Sequence, residues 1–207
     1  MPLYKTIAIT DGLLGIWQIT ESPNDLIVGF RTEEVNDPDF RKYTNDKRKA
    51  EWLCTRSLIR EMIGHNFSIS YLSNGKPLLH HPQYQKISIS HSRNFVAVIV
   101  HRSREAGIDI EETSRDFSRV AQRYLSDREL KNTTGNNGLK CLYWCIKEAI
   151  FKLIEEDGID FKKQIAIFQD AKNPDQYQAE YLANGKGRRL NISYDFIAEN
   201  CLVWVIE

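Results

Sequence analysis

The stretch KCLYWCIKEAIFKLIEE, residues 140–156, is the strongest helical pattern in the chain. Its apolar residues recur at intervals of three and four, which predicts a helix with one buried face. That face is formed by Leu142, Cys145, Ile146, Ala149 and Leu153. Glu148 and Lys152 lie one turn apart beside it, where their side chains can enter a cleft. The alternative is a surface Glu–Lys bridge, which stabilises a helix by about 0.3 kcal/mol.

Strand patterns and a second helical pattern complete the fold prediction. Residues 46–62 favour another long helix, and Gly64 is a plausible stop signal. Short strand-like runs flank each helix, so each half of the chain offers one long helix and several strands. The sequence therefore predicts an α+β fold with an N-terminal half at 1–101, a C-terminal half at 102–207, and a site in the cleft between them.

Residues 107–111 read Gly-Ile-Asp-Ile-Glu and place two carboxylates two positions apart. On a strand, Asp109 and Glu111 share one face, while Ile108 and Ile110 point into the core. Both acids can then reach one ion, and two carboxylates with waters and phosphate oxygens suit Mg²⁺. An ordinary strand with a solvated acidic face is the alternative for this motif taken alone.

Polar and basic side chains in the first half suggest phosphate contacts. Ser90 and His91 end a predicted strand and can donate hydrogen bonds to phosphate oxygens. Lys76 follows a glycine in the turn Asn74-Gly75-Lys76-Pro77, and Arg56 lies on the first long helix. Each of these residues is ordinary when taken singly, because most basic side chains are solvated surface groups.

Composition excludes several classes of protein. Lys plus Arg and Asp plus Glu number 28 each, so no whole-chain field argues for nucleic acid or an acidic membrane. The opening residues lack the pattern of a secretory signal, and the apolar run Phe95–Val100 is too short to span a bilayer. We expect a soluble cytoplasmic protein. The four cysteines form no Cys-x-x-Cys unit, which favours reduced, buried thiols without a chemical role.

Four motifs in order give the chain a resemblance to the surfactin-type branch of the 4'-phosphopantetheinyl transferase superfamily, over roughly residues 41–156. They are Gly75-Lys76-Pro77, Ser88-x-Ser90-His91-Ser92, Gly107-Ile108-Asp109-Ile110-Glu111 and Trp144-x-x-Lys147-Glu148-Ala149-x-x-Lys152. The last two, at this separation, are the specific ones. The family more often has Ser or Thr at the position of Cys145.

The resemblance implies a role for each matching residue. Asp109, Glu111 and Glu148 would bind Mg²⁺, and Glu148 would also deprotonate the attacking serine. Lys152 would contact the reacting diphosphate of coenzyme A. The nucleotide end of coenzyme A would be held by Lys76, Ser90 and His91, and its 3'-phosphate by Arg56. The family's fold, two similar halves related by a pseudo-twofold axis, and its monomeric state are implied in the same way.

The expected activity is transfer of the 4'-phosphopantetheine arm of coenzyme A to a serine of an acyl or peptidyl carrier protein, with release of adenosine 3',5'-bisphosphate. One alternative is a metal-dependent hydrolase of nucleotide diphosphates, in which water replaces the carrier serine. Another is a protein that binds coenzyme A or a carrier without turnover. The segment Arg115–Glu129 is a candidate docking surface for an acidic carrier helix, and a plain amphipathic helix is its alternative.

Overall fold

Antiparallel strands and two long helices account for most of the chain in the computed structural model, which describes residues 2–154, 156, 158–183 and 185–207. The strands are β1 (Leu3–Ile9), β2 (Gly12–Gln18), β3 (Ser68–Tyr71), β4 (Pro77–His80), β5 (Lys86–His91), β6 (Phe95–His101), β7 (Ala106–Glu112), β8 (Ile165–Gln169), β9 (Tyr177–Ala183), β10 (Lys186–Ile197) and β11 (Asn200–Ile206). The helices are α1 (Pro23–Ile27), α2 (Thr32–Val35), α3 (Pro38–Arg41), α4 (Asp46–Ile63), α5 (Ala121–Tyr124), α6 (Asp127–Asn132), α7 (Asn137–Leu153) and α8 (Phe161–Gln164).

The strands form two larger antiparallel sheets and one small one. The first sheet has the order β1-β2-β6-β5 and the second has the order β7-β11-β10-β9-β8. Strands β3 and β4 form a separate two-stranded sheet. No helix in the described part of the chain is long and apolar enough to cross a membrane.

The core has layers in the order α4, first sheet, second sheet, α7. The two faces of strand β6 pack against different layers. Val96, Val98 and Val100 pack towards α4, whereas Ala97 and Ile99 pack towards the second sheet. This alternation follows from the two-residue period of a strand. It places β5 and β7, the neighbouring edge strands of the two sheets, in contact.

Each long helix packs against a strand at a glycine, and α7 approaches its strand with backbone atoms. A Cβ atom at Gly107 of β7 would lie 1.8 Å from the carbonyl oxygen of Ala149 in α7. A Cβ atom at Gly15 of β2 would lie 2.4 Å from the sulfur of Met62 in α4. Any larger residue at Gly107 would force α7 away from the sheet, whereas at Gly15 the side chains of Met62 and Leu58 would have to shift.

Two serine side chains join the edge strands β5 and β7. The hydroxyl of Ser88 accepts a hydrogen bond from the backbone N–H of Ile108 at 3.2 Å, and the hydroxyl of Ser90 accepts one from Ile110 at 3.3 Å. These hydroxyls satisfy buried backbone donors that a sheet partner would otherwise have to satisfy. We call this pair of contacts the serine seam.

Lys147 of α7 makes a buried ion pair that the sequence analysis did not anticipate. Its ammonium group lies 2.8 Å from a carboxylate oxygen of Glu129, and neither side chain is exposed. The same group also donates to the backbone carbonyls of Tyr124, Phe161 and Ile165. Burial lowers the pKa of Lys147, an effect that Glu129 opposes. The pair therefore fastens α6 and the segment around α8 to the long helix.

Most predicted elements are confirmed, including both long helices. The two strand patterns at Lys86–Ser90 and Phe95–His101 predict a hairpin, and β5 and β6 form it. Gly64 ends α4 with a positive φ of 82°, as a stop signal should. The sequence predicts that the second long helix continues to Glu156, but α7 ends at Leu153 and Ile154 is already extended. Acidic residues follow at once, and negative charge is unfavourable at a helix C-terminus. Glu155, in that stretch, is outside the described residues.

The sequence pattern near Phe117–Tyr124 also predicts a helical stretch, but the structure is helical only in the last turn, at α5. Before it, the side chain of Asp116 accepts a hydrogen bond from the backbone of Ser118, and Asn137 accepts one from the backbone of Phe117. Such side-chain contacts compete with helical hydrogen bonds. Strand β4 and the short helices α1, α2, α3 and α8 were not predicted.

Candidate active site

Strand β7 directs its two acidic side chains towards α7. Asp109 and Glu111 each contact a residue of that helix. Ile108 and Ile110 are completely buried on the opposite face, between the two sheets. The alternation predicted from the motif is confirmed. Asp109 is itself almost fully buried, at 4% exposure, so the solvated-face alternative is wrong for this residue.

Asp109 is the centre of a network that joins three elements. One of its carboxylate oxygens, Oδ1, accepts from the hydroxyl of Ser90 at 2.8 Å and from the ammonium group of Lys152 at 2.8 Å. Lys152 also lies 3.0 Å from the Ser90 hydroxyl. The structure thus brings together three predicted site residues from β5, β7 and α7. The second oxygen, Oδ2, is buried and has no hydrogen-bond partner among the described residues.

Glu111 is oriented by two neighbours that the sequence analysis missed. Its Oε1 atom accepts from the guanidinium of Arg115 at 2.6 Å and from the indole N–H of Trp144 at 3.2 Å. Burial and the nearby Asp109 raise the pKa of Glu111, whereas Arg115 opposes that effect. Trp144 belongs to a quoted motif, and Arg115 follows Glu111 at a spacing of four, so both carried a sequence signal.

Glu148 faces the same group of charges from one turn before Lys152. Burial, followed by repulsion from Asp109, raises the pKa of Glu148 to about 7. The charge of Lys152 acts in the opposite direction, and Glu111 adds further repulsion. A carboxyl group with a pKa near neutrality is well matched to general-base chemistry, because it can take up and release a proton at physiological pH.

His91 ends β5 on the side of the first sheet. Its Nε2 atom lies 3.1 Å from the hydroxyl of Thr55, which itself donates to the carbonyl of Glu51. Nε2 must therefore be the protonated nitrogen, because the Thr55 proton is already used. Burial and nearby cations, Lys152 first among them, lower the pKa of His91 to about 3. His91 is neutral in the free protein.

Arg56 lies on α4, close to His91 of β5. Its guanidinium carbon is 3.4 Å from the ring centroid of Trp52, a close cation–π contact. The residue is only 8% exposed, and burial lowers its pKa. Arg56 and His91 line one cavity. This fixed, desolvated cation suits recognition of an anion.

Lys76 lies in a second cavity, of about 230 Å³, which also contains Lys152. Its ammonium group lies 3.4 Å from Glu105. Apolar side chains form much of the cavity wall, including those of Ile87, Phe151 and Ile154. Lys76 shares its cavity with Lys152, and Arg56 shares the other cavity with His91, so the predicted residues are distributed over adjoining cavities along β5.

Asp109, Glu111 and Glu148 offer carboxylate oxygens, the ligands that Mg²⁺ prefers. The buried, unpartnered Oδ2 of Asp109 is a free ligand oxygen beside a second carboxylate. Within the described residues the three carboxylates do not form a cluster tight enough for one ion. Mg²⁺ usually takes only one or two protein carboxylates and keeps waters or phosphate oxygens. Asp109 and Glu111 therefore fit the ion.

The exposed residues of the predicted docking segment differ from those expected. Phe117, Tyr124 and Leu125 are buried in the core rather than available to a partner, and Glu129 is the buried partner of Lys147. The amphipathic pattern of this segment is therefore that of a core-facing element. Its exposed face carries four arginines, Arg115, Arg119, Arg123 and Arg128.

Comparison with known proteins bears on this arrangement. Residues 105–195 match the family model of the 4'-phosphopantetheinyl transferase superfamily. The matched region contains Asp109, Glu111, Glu148 and Lys152. Outside it lie Arg56, Lys76, Ser90 and His91. No curated protein matches the chain.

The match supports phosphopantetheine transfer in general, and the mixed α/β architecture with antiparallel sheets is compatible with the superfamily's fold. The superfamily generally uses Mg²⁺ with coenzyme A as a substrate and a carrier protein as the acceptor. The surfactin-type branch stays a prediction, as do the roles of the residues outside the match.

Proposed function

We propose that this protein transfers the 4'-phosphopantetheine arm of coenzyme A to a serine of an acyl or peptidyl carrier protein. The observation that carries the proposal is Asp109: it is bound by Ser90 and Lys152, keeps one buried oxygen free, and lies in electrostatic contact with Glu148. Two carboxyl groups and an ammonium group thus lie close together, and displacement at a diphosphate requires both a base and positive charge near the phosphates.

The proposed site lies in a cleft between two similar halves, 1–101 and 102–207. In support, each half contributes a sheet with one long helix packed on it at a glycine. The first half would hold the nucleotide end of coenzyme A, and the second half would hold the reacting groups. A monomer in the cytoplasm stays our prediction.

In the proposed reaction, the serine hydroxyl oxygen forms a bond to the phosphorus that bears pantetheine. The bond from that phosphorus to the bridging oxygen breaks, and adenosine 3',5'-bisphosphate leaves. Glu148 takes the serine proton, and Lys152 neutralises charge on the diphosphate. Asp109 and Glu111 would hold Mg²⁺, which when bound neutralises charge on the phosphate oxygens. Glu148, the third predicted ligand, lies too far from these two carboxylates in this structure to share one ion with both. The exposed arginines of residues 115–123 would attract an acidic carrier.

The direct test is to incubate the protein with coenzyme A, Mg²⁺ and a panel of apo-carriers, and then to weigh each carrier intact. We expect a gain of one phosphopantetheine on at least one carrier, and no gain on the same carrier with its acceptor serine replaced by alanine. Release of adenosine 3',5'-bisphosphate without any modified carrier would instead indicate a hydrolase.

Asp109→Asn is expected to raise the Mg²⁺ concentration needed for half-maximal transfer by about tenfold or more, because one shared ligand charge is lost. The measurement is the transfer rate across a Mg²⁺ titration. Asp195→Asn is the matched control, since this aspartate is half-exposed and pairs with Lys5. Full wild-type transfer in excess chelator would contradict the metal assignment.

Arg56→Ala is expected to raise the KM for coenzyme A by about tenfold to a hundredfold, because a charge-assisted phosphate contact is lost. The variant should also stop discriminating coenzyme A from its 3'-dephospho form. Arg60→Ala, one turn along α4, is the control, because Arg60 is held by Glu34 and the carbonyl of Gly29. Unchanged dependence on the 3'-phosphate would remove Arg56 from the site.

A further inference from the structure

Three cysteines converge beneath the proposed active site. Cys141 and Cys145 lie one turn apart on α7, and Cys201 lies on β11. Their sulfur atoms all lie within 4.8 Å of one another, and all three side chains have zero exposure. The fourth cysteine, Cys54, is buried elsewhere, against the first sheet. We call Cys141, Cys145 and Cys201 the thiol cluster.

The thiol cluster is joined to the acidic residues through the backbone. Cys201 is the direct cross-strand partner of Glu111, so both side chains lie on the face of the sheet that α7 covers. Cys145 follows Trp144, whose indole orients Glu111, and precedes Glu148 by one turn. A change in the spacing of the three sulfurs would therefore move elements that carry Glu111 and Glu148.

The spacing suits a metal ion with three thiolate ligands. At a metal–sulfur distance of about 2.3 Å, three sulfurs around one ion lie about 4.0 Å apart, so only a small contraction is needed. Thiolates select soft ions such as Cu⁺, Zn²⁺ and Cd²⁺. Within the described residues the group offers three ligand atoms and no fourth. Cu⁺ accepts three ligands readily, whereas structural Zn²⁺ almost always takes four.

One of the thiols is favoured to lose its proton first. Hydrogen bonds from the thiols of Cys145 and Cys201 lower the pKa of Cys141. Cys145 also lies 3.7 Å from the backbone carbonyl of Cys201, which ties the helix to the strand. A thiolate at Cys141 would be the first ligand for an entering cation.

We propose that Cys141, Cys145 and Cys201 form a buried site for a thiophilic ion, Cu⁺ above all, and that occupation of this site inhibits the enzyme. Three S–H bonds break, three metal–sulfur bonds form, and three protons are released to solvent, so no oxidant is needed. Because the sulfurs are buried, the ion enters through local opening of the chain, and binding is slow. Binding of the ion does not depend on the proposed function, whereas inhibition does.

The binding experiment uses the full chain, reduced, free of metal and kept without oxygen. Cu⁺ is supplied from a weak Cu⁺ chelator, and bound copper is counted after gel filtration. We expect one Cu⁺ per chain in the wild type and in Cys54→Ala, and loss of binding in Cys141→Ala and Cys201→Ala. Failure of the wild type to retain Cu⁺, or retention by both cluster variants, would overturn the proposal.

X-ray absorption on the copper-loaded wild type tests the ligands even where a cluster variant fails to fold. Three sulfur neighbours are expected at one distance, and fewer than three would overturn the proposal.

The transfer rate tests the proposed inhibition. Stoichiometric Cu⁺ should lower this rate roughly tenfold or more, because small displacements of reacting groups have large effects on rate. Cys54→Ala should be inhibited equally and Cys141→Ala should be insensitive. Copper binding without any transfer activity would reject the proposed function alone, and unimpaired transfer with copper bound would reject the inhibition.

Discussion

Glu148→Gln is expected to lower the rate of carrier modification by about a hundredfold or more, as loss of a general base does. The amide keeps the shape of the side chain but cannot take the serine proton. Glu148 makes no side-chain hydrogen bond with any other residue that the structure describes, so the variant should fold and should keep much of its affinity for coenzyme A. The measurement is single-turnover transfer at saturating coenzyme A and Mg²⁺.

Glu61→Gln is the control for this variant, because Glu61 is exposed on the other long helix. It should leave the transfer rate nearly unchanged. A folded Glu148→Gln protein with close to wild-type turnover would restore the surface-bridge interpretation of the Glu148 and Lys152 pair. Glu111 would then be the next candidate for the base.

Stability gives a separate measurement on the same variant. The pKa of Glu148 is raised from 4.5 to about 7, so the folded protein keeps a proton that the unfolded chain loses. In chelator, this group therefore makes the free energy of unfolding fall as the pH rises from about 4.5 to about 7. Glu148→Gln removes that slope. The free energy of unfolding of the variant minus that of wild type should therefore be about 1–3 kcal/mol larger at pH 8 than at pH 4. An equal difference at both pH values would mean that Glu148 is not desolvated.

Lys147→Met is expected to lower the free energy of unfolding by about 3–5 kcal/mol, because it leaves the carboxylate of Glu129 buried without its counter-charge. Among the residues that the structure describes, Glu129 would retain only the backbone donors of Ser126 and Ile167. Three carbonyls would also lose the ammonium donor. Denaturant unfolding of the full chain measures the change.

Two further variants show whether the buried charge is the cause. Lys147→Met combined with Glu129→Gln should recover part of the loss, since no unpaired charge remains. Lys162→Met is the exposed control: its pair with Asp127 is 38% and 88% exposed, and it should change stability by less than about 1 kcal/mol. A loss below that size in Lys147→Met would show that solvent reaches Glu129.

Local patterns predicted much of this molecule. The period of two in residues 107–111 places Asp109 and Glu111 on one face, and the helical period places Glu148 and Lys152 beside the buried stripe of α7. Both results depend only on neighbours along the chain. The motif resemblance added Ser90, which the structure joins to Asp109.

What the sequence could not give depends on residues far apart in the chain. The helical period places Lys147 on the other flank of α7, and its burial requires Glu129 and three carbonyls brought in by other segments. The spacing of Cys141 and Cys145 is visible in α7, but Cys201 completes the thiol cluster only through β11. The sequence alone left open whether the apolar residues of the segment Arg115–Glu129 face a partner or the core, because their core partners lie far away along the chain.

The serine seam has a consequence for how the chain tolerates changes of length. The two serines are two residues apart in β5, and the two N–H groups that they accept from are two residues apart in β7. Both contacts therefore depend on one register between the strands. Inserting or deleting one residue within β5 would turn both serines to the wrong side and separate Ser90 from Asp109. Added residues in the connection 102–105 leave that spacing untouched. The protein should therefore tolerate insertions in the connection 102–105 but not insertions or deletions within β5.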